Sequence, residues 1–547
     1  MIKGTITGIC APYIIAEGIG EAGLYDTVQI SHLPVRGEIV DFDEGSARIQ
    51  LFDRSEEIKL GKSVRTEALP LCAELGPGLL GRVLDGIGRP IDGMGEFALD
   101  RETVREFKSC VKVGDEVSGG DTVGFVREND KIVHKVMVPF GVRGTVKTVI
   151  ERSCRVDDMV VAINGADNTM HEISMMQRWP VRRMRPYSKR LLPIEPLVSR
   201  ERGIDALFPI VTGSITSIAG GYGTGKTTLA HRIASSIDVD VFVYVGCGKR
   251  GNEMKKVLDL FANKEMAEKS VIVATTSDMT AGMRTASLYT AVTIAEYYRD
   301  MGYKVALMAD SISDWADSLS AADRDENEIT NELSRIYERV GRVVALGQDY
   351  REGSVTFITA TSAEMNPATM RSAKVLLTLD ENLAEEKFFP AIDFSRSYSL
   401  YAENTRSWFN SNVNDNWAKY SAKFAEILQR DSEIIENGGT ESDEDRLIER
   451  TAACIYSDFI CQNETEEPDG CELDKQYKLM RLIYDYYRLS TKALKEGADI
   501  ELLVSVPALE EIANFKYTAD KDLGSEYRKI IEHLNSDIQK ASAKEGE

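Results

Sequence analysis

Positive charge is scarce in this chain. Across 547 residues, 66 Lys and Arg face 88 Asp and Glu, a formal charge of −22. So acidic a protein lacks the basic face that would neutralise phosphates, which argues against sequence-independent binding to nucleic acid or anionic lipid. Long apolar runs are missing as well. No window approaches the roughly 18 uncharged apolar residues of a membrane span, and Met1 to Gly20 has no extended apolar core of the signal type. The expected location is cytoplasmic, or on the cytoplasmic side of a larger body. Histidine is rare, with His32, His134, His171, His231 and His533 widely dispersed, and the eight cysteines form no C-x-x-C pair. Neither spacing suits zinc, so we expect reduced, mostly buried thiols and no metal held by protein ligands alone.

What is present is enough apolar material for several cores. Hydrophobic residues make up 43% of the chain, and at roughly 150 residues per domain three or four domains follow. Residues 1–70 alternate short β-branched runs (Gly4 to Ile9, Thr27 to Ile30, Glu38 to Phe42, Ala47 to Phe52) with Gly, Asp or Pro turns, the pattern of a small N-terminal β-barrel. Residues 109–176 are strand-rich again, with Val111-Lys-Val-Gly-Asp, Val123-Gly-Phe-Val and His134-Lys-Val-Met-Val-Pro, and fit an inserted β-sandwich. Lys135 sits where a lipoyl or biotinyl carrier lysine could, but the acceptor tripeptide is absent and an exposed turn lysine is the commoner case. Residues 71–108 and 177–400 alternate apolar strands with amphipathic helices, which predicts an α/β domain on a parallel sheet. Residues 401–547 read as a C-terminal helical bundle. It breaks at Asn437-Gly-Gly, with Ser442 capping the next helix, and has a frayed tail from Gln539.

One segment carries chemistry. Gly220, Gly221, Tyr222, Gly223, Thr224, Gly225, Lys226 and Thr227 match G-x-x-x-x-G-K-[ST], between a predicted strand (Ile215 to Ala219) and a helix (Thr228 to Ile237), as a P-loop requires. Glycines let backbone N–H groups approach phosphates, the helix N-terminus favours the anion, Lys226 can reach the β and γ phosphates, and Thr227 can ligate Mg²⁺. An acid at a neighbouring strand end should complete the site, and Val305-Ala-Leu-Met-Ala-Asp310 supplies one, with a helix-capping role for Asp310 as the competing reading. A third strand, from Val241, opens into Gly-Cys-Gly-Lys249-Arg250-Gly-Asn-Glu253, whose charges should face a nucleotide at the carboxyl ends of the sheet.

These motifs together, with Ile294-Ala-Glu-Tyr-Tyr-Arg-Asp-Met-Gly-Tyr, Gln177-Arg-Trp-Pro-Val-Arg and Ser397-Tyr-Ser-Leu-Tyr, resemble the catalytic A (alpha) subunit of V/A-type rotary ATPases. The resemblance covers nearly the whole chain. It implies a barrel, a bulge insert, a RecA-like P-loop domain and a helical domain, in a hexameric ring that alternates with B-type subunits around a central rotor and beside a peripheral stalk. It further implies ATP or ADP with Mg²⁺ as cofactors, an arginine donated by a neighbouring subunit, and turnover coupled to proton or sodium movement through a membrane sector the chain itself does not enter. By the same resemblance Lys226 and Arg250 are catalytic, and Thr227, Thr228, Glu253, Asp310 and Phe389 join the loop in binding. Thr227 and Asp310 serve the Mg²⁺, Glu253 supports its shell, and Phe389 packs on adenine.

The chain departs from that pattern where catalysis should occur. The family's water-polarising Glu is replaced by Lys249, and its phosphate-binding Arg by Asp314. The stretch Ser318 to Thr330 is short, and Ser362-Ala-Glu-Met-Asn-Pro replaces a Pro-Pro-Gly-Gly-Asp run. A positioned general base contributes roughly 10²- to 10⁴-fold in rate, so an alternative reading is a nucleotide-binding structural or regulatory subunit of the same assembly, impaired in turnover. Glu326, Glu328 or Glu332 are the acids near enough in sequence to substitute. The two reversed charges suggest a mutual Lys249–Asp314 ion pair. A RecA-like helicase is disfavoured by the net charge and the insert.

Overall fold

The computed structural model describes residues 1–542 apart from 32, 34, 44, 55, 322–323, 363–372, 440–441, 464–466 and 468–469. The N-terminal strands close into a six-stranded antiparallel barrel, sealed where Ile2–Cys10 pairs with Ser63–Pro70. Alternation explains the closure: Ile6, Ile14, Ile30, Ile39, Ile49 and Val64 all point inward and are buried, while their neighbours along each strand are largely more exposed. Between Arg105 and Ser174 two four-stranded sheets enclose a Val-rich core that includes Phe107, Val123, Val146 and Ile163. Lys135 lies within the strand Val133–Met137 and is half-buried, with burial lowering its pKa, so it does not occupy the turn expected for it.

The central domain is built on a ten-stranded sheet. Seven strands run parallel, in the order Val375–Thr378, Ile215–Gly220, Glu352–Ser362, Lys304–Asp310, Val241–Lys249, Ser270–Thr276 and Val83–Leu84. Such strands are covered on both faces and therefore read as continuous apolar runs; Val241 to Val245 are all fully buried. Register does the positioning. Gly220 pairs with Ser362, Asp310 with Ala360, and Gly246 with Asp310, so the functional strand ends finish at one edge.

The motif Ile294-Ala-Glu-Tyr-Tyr-Arg-Asp proves structural. It ends the helix Ala281–Asp300, where Arg185 Nε bonds Asp300 Oδ2 at 2.6 Å and Arg339 Nε bonds Glu296 Oε2 at 3.1 Å, all four side chains being buried. Charges so deep need partners, and here each has one. The remainder is helical, including Trp417–Glu436, Asp443–Cys454, Leu473–Lys495 and Leu523–Ser542. Ser442 caps its helix by accepting from the Asp445 N–H, as expected. The helix to Ser542 runs through Gln539, where a frayed tail was expected, and residues 543–547 fall outside the described chain. Arg202 ties the two domains together: fully buried, it donates to the carbonyls of Phe459 at 2.6 Å and Cys461 at 2.7 Å and pairs with Glu467.

Candidate functional site

The strand Ile215–Gly220 turns directly into the loop, and the helix Lys226–Ser236 leaves it. Gly223 and Gly225 adopt φ of 85° and 89°, a left-handed backbone that a side chain would strain. Tyr222 is fully exposed at the tip, and Thr227 and Thr228 are exposed on the first helical turn. Lys226 folds back on its own loop, donating to the Gly221 carbonyl at 2.8 Å and also to that of Gly220. Burial lowers its pKa and Lys249 lowers it further, against the pull of Asp310, Asp314 and Glu381. A cluster of opposed charges therefore surrounds the loop mouth.

Asp310 lies at the end of its strand, as anticipated, and is buried. Its Oδ1 is 2.7 Å from Lys249 Nζ and its Oδ2 accepts from the Tyr244 hydroxyl at 3.2 Å. The expected Lys249–Asp314 pair is thus corrected. The strand Val241–Lys249 slips register against Ser270–Thr276 between Gly246 and Lys249 and sets the Lys249 ammonium on Asp310, whereas Asp314 is engaged in the first turn of the helix Ile312–Ser320, accepting from the Ser311 hydroxyl at 2.6 Å. Burial raises the Asp314 pKa, with that hydrogen bond and Lys249 working the other way. Asp310 does not cap this helix; Ser311 does.

The remaining candidates divide. Arg250 and Glu253 are exposed, and Glu253 Oε2 accepts the Arg250 backbone N–H at 3.4 Å, so its carboxylate closes the first turn of the helix Gly251–Phe261. Phe389 is 38% exposed and is brought to the loop: two of its ring carbons lie 3.5 Å from where a Cβ on Gly225 would stand. A core role does not suit so open a ring. Glu328 is committed to capping at Asp325 and to Arg324, and Glu332 to Tyr289 and Arg335, so neither is turned to the loop. The segment following Ser362 falls mostly outside the described residues.

Three neighbours escaped the sequence reading. Tyr244 is one, a buried hydroxyl whose pKa is driven well up by burial and by Asp310. Glu381 is the second, with Oε1 only 1.8 Å from a Cβ placed on Gly221, so a larger residue there would push this exposed carboxylate aside; its signal was an acid just after the strand Val375–Thr378 that flanks the loop strand. Arg284 is the third, its Nη1 lying 3.3 Å from a Cβ placed on Gly248, with Asp314 Cβ close by. All eight cysteines are free thiols, four of them buried, and no group of His, Cys, Asp and Glu able to hold a metal occurs among the described residues. No helix among those residues is long and apolar enough to cross a membrane.

Four family descriptions match in chain order: the ATP synthase alpha/beta family beta-barrel domain over residues 6–67, the alpha/beta subunit barrel-sandwich domain over 97–182, the ATP synthase alpha/beta family nucleotide-binding domain over 201–399, and the C-terminal domain of V and A type ATP synthase over 406–503. Among full-length relatives, the V-type ATP synthase alpha chain of Acetivibrio thermocellus is 38% identical over 587 aligned residues, covering all of both chains. That of Clostridioides difficile is 38% identical, covering all of this chain and 99% of its own, and that of Clostridium perfringens is 36% identical over the same shares.

Proposed function

The chain belongs to the ATP synthase alpha/beta family, in the line of the V-type alpha chains, and from that premise we propose that it is the nucleotide-holding alpha subunit of a V-type rotary assembly. The observation that carries this reading is the Gly220–Thr228 loop, set at the carboxyl edge of a parallel sheet with Asp310 at the same edge. Loop N–H groups, the helix N-terminus and Lys226 together suit a nucleoside polyphosphate, and Phe389 offers a flat face to a base. In this reading B-type subunits alternate with the chain in a hexameric ring, with a central rotor and a peripheral stalk, on the cytoplasmic side of a membrane reached only through an ion-translocating sector. The assembly couples ATP hydrolysis or synthesis to proton or sodium transport.

Thr227 and Asp310 are the residues that would serve a Mg²⁺ ion arriving with ATP. As arranged, they do not fit it: both oxygens of Asp310 are already engaged, one of them by a cation. That observation favours a second reading inside the same assembly, a subunit that binds nucleotide but turns it over slowly, because Lys249 and Asp314 stand where a water-activating carboxylate and a phosphate-binding arginine are needed. Co-expression with a B-type partner, isolation of the complex, and joint measurement of retained nucleotide and ATPase rate test both. A chain that neither joins the partner nor retains nucleotide would overturn the proposal. A rate typical of competent ATPases would remove the second reading.

A further inference from the structure

We propose that the nucleotide is held in this site without a divalent cation, the Lys249 ammonium supplying the positive charge that a metal ion would otherwise bring. The inference rests on the reading of the Gly220–Thr228 loop as a nucleotide site.

A magnesium ion at a phosphate site is a hard, strongly hydrated cation. It is usually secured by one or two carboxylates together with the phosphates and retained waters. Here the carboxylate in reach is Asp310, whose side chain is only 2% exposed and already has a partner on each oxygen: Lys249 Nζ lies 2.7 Å from Oδ1, and the Tyr244 hydroxyl donates to Oδ2 at 3.2 Å. Thr227 offers a neutral hydroxyl, which brings no charge to hold a dication. To reach Asp310 a metal would have to expel a cation tethered three residues beyond Gly246, and a tethered group competes at high effective concentration. Expulsion would also leave the Lys249 ammonium, 11% exposed in its place, to find another partner.

The geometry leaves Lys249 equipped for the phosphates as well. An ammonium has three donors; one is spent on Asp310. Lys249 is near enough to Lys226 for the two to repel, and both flank the loop mouth, so a polyanion entering between them relieves that repulsion. Arg284 adds a second cation beside Gly248, one residue from Lys249. A bound ion is often the largest local charge in a phosphate site, and here side chains carry it.

The test is equilibrium dialysis of ATP, and separately ADP, against the full-length chain in magnesium chloride and in EDTA, for wild type, K249M, K249R and K249E. In wild type the two affinities agree within about threefold, and in EDTA K249M binds at least about tenfold more weakly while K249R keeps its affinity. K249E binds appreciably only with magnesium. A wild-type affinity that falls more than about tenfold on chelation overturns the inference and leaves the nucleotide reading standing. Undiminished binding by K249M in EDTA overturns it too. If wild type binds neither nucleotide in either buffer, the inference fails together with the reading beneath it. Thermal melts of each variant identify any that do not fold, and the wild-type comparison decides the matter without them.

Discussion

Lys249 Nζ stands 2.7 Å from Asp310 Oδ1, an ion pair joining the ends of two neighbouring parallel strands. The pair is shielded, since the carboxylate is almost fully buried and its second oxygen is bonded to Tyr244. Removing one partner of such a pair strands the other charge, which costs more than the pair itself contributes.

K249M is therefore expected to destabilise the protein by about 3 kcal/mol, the lower end of the range for a broken buried pair, because the ammonium retains some exposure. The double variant K249M with D310N removes both charges and should recover part of that loss. Urea unfolding of the wild type, both singles and the double measures the coupling, and additive losses would mean that the pair is energetically idle.

ATP should raise the melting temperature, and K226A should abolish the rise. At a ligand concentration a hundredfold above Kd, linkage amounts to about 2.7 kcal/mol. A wild-type melt that ignores both ATP and ADP contradicts the assignment of the loop.

K249E alone gathers a third carboxylate beside Asp310 and Asp314, where the acids repel each other and the phosphates. Little activity should appear. Combining K249E with D314R restores a base and a phosphate-binding cation, and in the complex with its B-type partner the ATPase rate should rise about 100-fold or more over wild type. The gain should exceed the sum of the singles; strictly additive rates would mean that the two positions act independently.

Asp431, on the helix Trp417–Glu436, has its pKa raised to about 6, by burial first and then by Glu449. A carboxyl group whose pKa is higher in the folded state than its unfolded value near 4 favours the fold while protonated. That advantage fades as pH rises and is gone above about 6. D431N should therefore raise the melting temperature at pH 8 relative to wild type and change it little at pH 4. An equal shift at both would assign the effect to packing.

Local signals in the sequence reached the loop and Asp310, because a strand, a glycine turn and a helix start are each written in a few adjacent residues. The barrel and sandwich were legible for the same reason, through alternation along short strands. The choice of partner for Lys249 was not. It depends on the register slip between Gly246 and Lys249 and on the register of Gly246 with Asp310, which are properties of the assembled sheet. Glu253 has two readings in the sequence, since an acid three residues into a helix serves backbone capping as readily as a ligand, and in the structure it bonds the Arg250 N–H. Phe389 reaches the loop across more than 160 residues of chain, a contact no local pattern encodes.

The closed N-terminal barrel limits how neighbouring chains can adhere. With Ile2–Cys10 zipped to Ser63–Pro70, each strand's two flanks are occupied by other strands of the same barrel. A neighbour thus finds no open ladder on which to lay a strand. Cohesion at that end of the molecule must come from side chains and connecting turns, so an interface there can be rewritten residue by residue as sequences diverge, without disturbing the barrel that presents it.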